Sequence, residues 1–178
     1  MSIDEINGIP RVDPRPSGRP VWKRAIVRLV STGPGTAFHR TIAAPLDAPI
    51  MRATGGRVNL AVGAIPLVVL TSTGSRTGQP RDTPLLYFTD DDDIILIASS
   101  YGRDHHPNWY HNLIANPKCE LHVGARGGPF VARETGGAER DRLFALAVGH
   151  YAGYANYARR ARGVRTIPVL RLAPANSS

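Results

Sequence analysis

The sequence predicts an α+β fold or a small, mostly antiparallel barrel, not a doubly wound sheet. Two observations carry that expectation. Short apolar runs alternate with Gly-, Pro- and Asp-rich turns through the middle of the chain, and helical patterning is confined to its two ends. Leu67–Thr71, Asp82–Phe88 and Ile94–Ser99 read as strands, the last two joined as a hairpin by Thr89-Asp90-Asp91-Asp92-Asp93. Cys119–Val123 and Phe130–Glu134 alternate around Gly124-Ala125-Arg126-Gly127-Gly128 as another hairpin, and Ile167–Leu172 supplies a last strand. Pro107 opens a short helix through Trp109, Tyr110, Leu113 and Ile114, which Asn116-Pro117 ends. A long helix is expected from about Ala138 to Arg162.

Toward the N-terminus, residues 1–20 hold four prolines and read as a flexible arm, with one domain over 21–178. Val21–Val30 has a helical apolar stripe (Trp22, Ala25, Ile26, Leu29, Val30), and a second helix is expected from Asp47 to Gly55-Gly56. These helices span 21–56. At 178 residues the chain is one domain's worth of sequence, and 42% apolar content is ordinary. The longest apolar run, Leu60–Leu70, is broken by Gly63 and Pro66 and is far short of the roughly 20 residues a membrane span needs. No signal-peptide core precedes it, so a cytoplasmic location is expected. A single cysteine, Cys119, excludes an internal disulfide. With 22 Lys+Arg against 14 Asp+Glu, the net charge of +8 favours a polyanionic partner: nucleic acid, acidic lipid or a phosphorylated coenzyme.

Three clusters could carry chemistry. Thr73-Gly74-Ser75-Arg76-Thr77-Gly78-Gln79-Pro80-Arg81 lies between two strands and offers hydroxyls, backbone N–H groups and two guanidiniums, a set suited to phosphate. It matches neither a Walker loop nor a dinucleotide fingerprint, and a plain surface hairpin explains the glycines equally well. Ala98-Ser99-Ser100-Tyr101-Gly102 and His106-Pro107-Asn108-Trp109-Tyr110 with Asn112 bring together a strand end, a glycine loop and a helix start. His105 and His106 lack further ligands at metal spacing, so no metal site is expected and His106 reads as a helix cap or ligand-edge hydrogen bonder. Tyr151, Tyr154 and Tyr157 fan over roughly 120° of a helix surface. Tyr151 continues the core-facing row Leu143, Ala147, whereas Tyr154 and Tyr157 either roof a flat ligand or belong to a solvated basic end.

In this order the pieces resemble the deazaflavin-dependent nitroreductase family, whose members bind coenzyme F420. The resemblance runs from about Asp47 to Pro174. It rests on Asp47-x-x-Ile50-x-x-x-Thr54-Gly55-Gly56-Arg57, on Leu70-Thr71-Ser72-Thr73-Gly74-x-Arg76-Thr77-Gly78-Gln79-Pro80-Arg81, and on His106-Pro107-x-Trp109-Tyr110-x-Asn112-Leu113-x-Ala115-Asn116-Pro117. The tyrosine triplet and Ile167-Pro168-Val169-Leu170 also fit.

The resemblance implies a split β-barrel, six-stranded and mostly antiparallel with flanking helices, and a hydride transfer from reduced F420 to a quinone-like or nitro-aromatic acceptor. It places Arg76, Thr77, Gly78, Gln79, Pro80 and Arg81 along the coenzyme's phosphate and polyglutamate tail. Thr83 and Pro84 fall beside the ring system, and Ala98, Ser99, Ser100 and Tyr101 in the loop against it. His106, Pro107, Asn108, Trp109 and Asn112 belong to the helix start packed on the coenzyme. Ser99 and Tyr154 are then the catalytic candidates, with Tyr154 also touching coenzyme, while Trp109, Tyr151, Tyr154 and Tyr157 enclose the acceptor. Ser75 and Ser100 stand where members carry cations, which implies altered tail binding. Leu86 replaces a tyrosine of some active nitroreductases. The alternatives are an FMN-dependent split-barrel reductase and a non-catalytic F420 carrier. Nucleic acid ranks low, since no aromatic-basic interleaving appears. Val21–Val30 fits a helix packed on the barrel or a peripheral contact with an acidic membrane, and pairing into a homodimer is open.

Overall fold

The computed structural model describes residues 4–15 and 66–175. The helices expected over 21–56, the motif Asp47–Arg57 and the membrane-facing reading of Val21–Val30 lie outside the described residues. A small hairpin comes first, β1 (Glu5–Ile6) against β2 (Ile9–Pro10). The main sheet then comprises β3 (Leu67–Thr73), β4 (Pro80–Asp90), β5 (Asp93–Ile97), β6 (Lys118–Val123), β7 (Arg126–Glu134) and β8 (Val169–Pro174). Every pairing is antiparallel, and the order β3-β4-β5-β8-β7-β6 closes because β6 returns to β3. This is the six-stranded barrel that the resemblance implied.

Period-two alternation sorts the side chains into two cores. Ile94 and Leu96 of β5 and Leu170 and Leu172 of β8 join Leu70, Leu121 and Phe130 in the barrel interior. Their neighbours Ile95, Ile97 and Val169 face the other way, into a second apolar layer with Leu143, Ala147 and the tyrosines. The unbroken run Ile94–Ile97 is therefore a strand buried on both faces. Its hairpin with β4 is tighter than expected: Asp90 pairs with Asp93, and only Asp91 and Asp92 make the turn, Asp91 with φ 53°.

The expected long helix is two. Here α1 is Asn108–Ala115, and the two later helices are α2 (Gly137–His150) and α3 (Gly153–Ala161). The break falls at Tyr151, whose backbone is extended (φ −142°, ψ 105°). A Cβ on Gly153 would stand 2.2 Å from the Tyr151 ring. Only a glycine lets that ring fold back over the start of α3, which is why apolar periodicity continues across an interruption it does not reveal. The 120° fan computed for one continuous helix therefore does not apply to Tyr151.

The arm expected over residues 1–20 is corrected within 4–15. Ile6 and Ile9 are buried in the barrel core. Tyr87 Oη donates to the Pro10 carbonyl at 3.0 Å, Thr89 N donates to the Val12 carbonyl at 2.9 Å, and Asn7 Nδ2 donates to the Pro129 carbonyl at 2.8 Å. Burial pushes the Tyr87 phenol up to about 12, so it remains a donor. Proline content marked a segment without helix, and apolar burial at two positions was enough to order it. If the hairpin plugs the core, Ile9→Ala lowers unfolding free energy by about 2–5 kcal/mol. Urea midpoints measure this, and a change within error would show that the hairpin rests on the surface only.

Candidate active site

A cavity of about 440 Å³ lies between the barrel wall and α3. Leu67, Thr83, Pro84, Leu85 and Leu86 of β3 and β4 and Ile97 of β5 form one side. The loop after β5 contributes Ser99, Ser100, Tyr101, Arg103 and His105, and the start of α1 gives Pro107, Asn108 and Trp109. Tyr151, Tyr154 and Tyr157 close it. Its lining is mainly apolar with a few polar groups, the usual character of a small-molecule site.

The loop from Ser100 to Gly102 is strained. Ser100 (φ 47°), Tyr101 (φ 56°) and Gly102 (φ 76°) are successive left-handed residues, two of which carry side chains. Such a conformation persists only where its surroundings impose it. Two contacts do so here. A Cβ on Gly102 would meet the Tyr157 backbone at 2.9 Å, so the turn sits directly on α3. Arg165, from the segment between α3 and β8, donates to the Ser99 carbonyl at 2.7 Å, to the Arg103 carbonyl at 2.8 Å and to His106 Nδ1 at 3.1 Å. One guanidinium thus ties both ends of the loop together. Burial and the neighbouring Arg165 lower the His106 pKa, so the ring is neutral and accepts. Sequence reasoning missed Arg165 and Arg103, because nothing local distinguishes them from other arginines, and it weighed His105 only as a metal ligand and not as part of the cavity lining.

The tyrosines form an edge-on cluster. Tyr151 and Tyr154 meet at 86° with ring centres 5.4 Å apart, and Tyr154 and Tyr157 at 79° and 6.1 Å. The Tyr151 and Tyr157 hydroxyls are 3.4 Å apart. Tyr154 is 5% exposed, and burial drives its pKa far upward, with Tyr157 and Tyr151 adding to the shift. It is a permanent phenol, a donor at every accessible pH. The packing reading of Tyr151 and the cavity reading of the other two both describe the outcome: all three are buried and all three line the space.

Other sequence-derived candidates lie elsewhere. Ala98 is wholly buried in the barrel core. His106 is behind the cavity wall, its ring 4.7 Å from that of Tyr110. Asn112 is buried and does not line the cavity; its Oδ1 accepts from Ser75 N at 3.0 Å and its Nδ2 donates to Ser72 Oγ at 3.2 Å. It fastens the β3–β4 hairpin to α1. Arg76, Thr77, Gly78, Gln79, Pro80 and Arg81 are exposed at the tip of that hairpin, outside the cavity lining. The expected nest of open amides is corrected. Gly74 N is bonded to the Gln79 carbonyl, Thr77 N and Gly78 N to the Gly74 carbonyl, and Gln79 N to Thr77 Oγ1. What the tip offers an anion is the pair of guanidiniums, Arg76 and Arg81. Among the described residues no group of His, Cys, Asp and Glu is arranged to hold a metal. Burial pushes the Cys119 thiol up to about 12, which leaves it unreactive.

Fold and cavity together define a small split-barrel protein with an apolar, ligand-sized cavity outside the barrel wall. The comparisons narrow this. The model of the F420H(2)-dependent quinone reductase family matches residues 46–174. A Mycobacterium tuberculosis protein named F420H(2)-dependent quinone reductase is 39% identical over 125 residues, covering 68% of this chain and 83% of that protein. A solved F420-H2-dependent reductase is 36% identical with a TM-score of 0.55, covering 60% of this chain and 93% of its own. Another solved structure, described as a domain-swapped dimer, is 32% identical with a TM-score of 0.56, covering 71% and 96%. The chain belongs to the F420H(2)-dependent quinone reductase family.

The neutral His106 gives a pH dependence of stability. Its folded pKa is below the ordinary 6.5. Above that value the ring is neutral folded or unfolded and contributes nothing. As pH falls below it the unfolded chain takes the proton first, so stability is lost until the folded pKa is passed. Urea midpoints between pH 7.5 and 5 are expected to fall less steeply for His106→Asn, whose amide oxygen still accepts from Arg165. Equal slopes would remove His106 from the account.

Proposed function

We propose that this protein passes a hydride from reduced coenzyme F420 to a quinone-like acceptor, with nitro-aromatic compounds as a secondary class, in the tyrosine-walled cavity. The observation that carries the reading is a mostly apolar space that joins aromatic walls to the phenol of Tyr154, a residue 5% exposed. Family membership supplies the coenzyme, and it favours F420 over the FMN alternative. The residues present suit the group. Trp109 and the tyrosines offer flat surfaces for a ring system, and Ser99 and Ser100 offer polar atoms at its edge. Arg76 and Arg81 stand exposed on the hairpin that Asn112 fastens to the Trp109 helix, a placement suited to a charged tail.

When bound, reduced F420 supplies the hydride. The protein's own part is positional and electrostatic. Reduction of a quinone to a hydroquinone takes two electrons, delivered as the hydride, and one further proton. Tyr154 is the hydrogen-bond donor we assign to the acceptor oxygen that gains charge; it keeps its own proton, and the further proton comes from solvent. Its side chain lines the cavity, where an incoming oxygen can reach the phenol. Ser99 holds the edge of the ring system, and Arg165 keeps the Ser99 carbonyl in place from behind. Tyr151, Tyr157 and Trp109 exclude water from the space between the planes. The carrier alternative lacks a supporting feature, since a store has no need of a buried phenol beside its ligand.

Anaerobic mixing of protein, reduced F420 and menadione is expected to give oxidised coenzyme and menadiol. Tyr154→Phe should lower kcat by about tenfold or more and leave coenzyme affinity unchanged. An unaltered rate would take the donor role from Tyr154. Arg76→Gln and Arg81→Gln should each weaken F420 binding by about 5–10-fold at low salt, measured by coenzyme fluorescence, with the loss shrinking as salt rises. If the affinity of both variants equals the wild type, the tail lies elsewhere.

A further inference from the structure

The mouth of the cavity carries a charge that the hydride transfer does not use. Arg103 lines the cavity just beyond the left-handed turn, and its side chain is exposed. Among the described residues its guanidinium has no carboxylate or carbonyl partner; the contact it makes with Arg165 is through its backbone carbonyl. Several arginines elsewhere among the described residues are engaged in ion pairs. Arg133, Arg142 and Arg171 are held by Glu139, Asp90 and Asp93.

Arg103 is also on the tyrosine side of the cavity. The Gly102 that precedes it packs on the Tyr157 backbone, and a Cβ there would stand 3.0 Å from the Cβ of Arg160. Arg160 is exposed on the same edge of α3 and adds a second cation to this corner. His105 completes the rim, with its Nδ1 hydrogen given to the His106 carbonyl at 3.1 Å. The carboxylate of Asp104 is exposed, and its field acts on Arg165. An open guanidinium beside an apolar slot binds an anionic group carried on a flat ring, because the slot excludes water from one side of the ion pair.

From this geometry we propose that Arg103, supported by Arg160, forms an anion subsite at the acceptor end of the cavity and selects quinones bearing a carboxylate or sulfonate. This rests on the reading of the tyrosine wall as the acceptor side. The same chemistry could serve an anionic part of the coenzyme, so the test separates the two.

The full chain, with oxidised F420 present, is titrated calorimetrically with 1,4-naphthoquinone-2-sulfonate and with menadione, as wild type, Arg103→Gln and Arg160→Gln. The Arg103 backbone is ordinary and extended (φ −68°, ψ 165°), so the exchange leaves the fold intact. Wild type should bind the sulfonate about tenfold tighter than menadione at low salt, with the gap closing as salt rises. Arg103→Gln should abolish the gap and leave menadione binding unchanged, and Arg160→Gln should narrow it about twofold. Equal affinity for the two quinones in wild type, or a parallel loss of both in Arg103→Gln, overturns the subsite. So does a weaker F420 affinity in Arg103→Gln, which would assign the guanidinium to the coenzyme. Because these are equilibrium measurements, they decide the subsite whether or not menadione turns over. Turnover of menadione without anion preference removes the subsite and leaves the function standing.

Discussion

Closure of the sheet through β8 is the constraint on which everything else depends. This strand pairs with β5 on one edge and β7 on the other, and so closes the sheet β5-β4-β3-β6-β7 into a barrel. A six-stranded barrel is narrow, and its interior is filled by Leu70, Leu121, Phe130, Leu170 and their neighbours. Ligand space can then exist only outside the wall. The helices that follow β7 return along that wall before β8 completes it, and the gap between α3 and β4–β5 is where the cavity forms.

The closing strand carries a buried charge on the face turned away from the barrel interior. Arg171 is 7% exposed, and it answers three carboxylates: Asp90 at 2.5 Å, Asp93 at 2.9 Å and Glu139 at 3.0 Å. Arg142 also binds Asp90, and the hydrogen bonds from Arg142 and Arg171 hold that carboxyl below its usual range. A buried guanidinium left unpaired would be strongly destabilising, whereas a fully answered one specifies geometry. Here it ties the β4–β5 turn to the first turn of α2, which fixes the direction in which α2 and then α3 leave the barrel. The orientation of the tyrosine wall is thus set from the far end of the sheet.

Strands and turns were legible because alternation and turn residues are local signals. The helix stop at Asn116-Pro117 follows from adjacent residues alone, as does the hairpin between β6 and β7, although its turn is only Gly124-Ala125 and β7 already begins at Arg126. What escaped depends on contacts between distant segments. The run of aspartates was readable as a turn, but its role as counter-charge required knowing that β8 lies beside β5. The break at Tyr151 needed the fold of its ring over Gly153. The amides of Gly74, Thr77 and Gly78, read as open to a phosphate or as part of a plain hairpin, are bonded within the hairpin tip. Asn112, placed by motif on the coenzyme, spends its amide on Ser72 and Ser75. Arg165 had no signal at all, since its partners are carbonyls some sixty positions earlier.

On the reading proposed above, the site separates two kinds of polar work. Neutral donors sit where water is excluded, and cations sit where water remains. Burial that drives the Tyr154 pKa upward also ensures that a proton is always present there, so the group donates without first having to be charged. A buried ammonium or guanidinium in its place would need an answering carboxylate, and that carboxylate would repel an oxygen gaining negative charge. Arg103, Arg76 and Arg81 can instead remain open to solvent, because recruitment of an anion tolerates screening in a way that stabilising a developing charge does not. In that reading the phenol is the inner group and the guanidiniums are the outer ones.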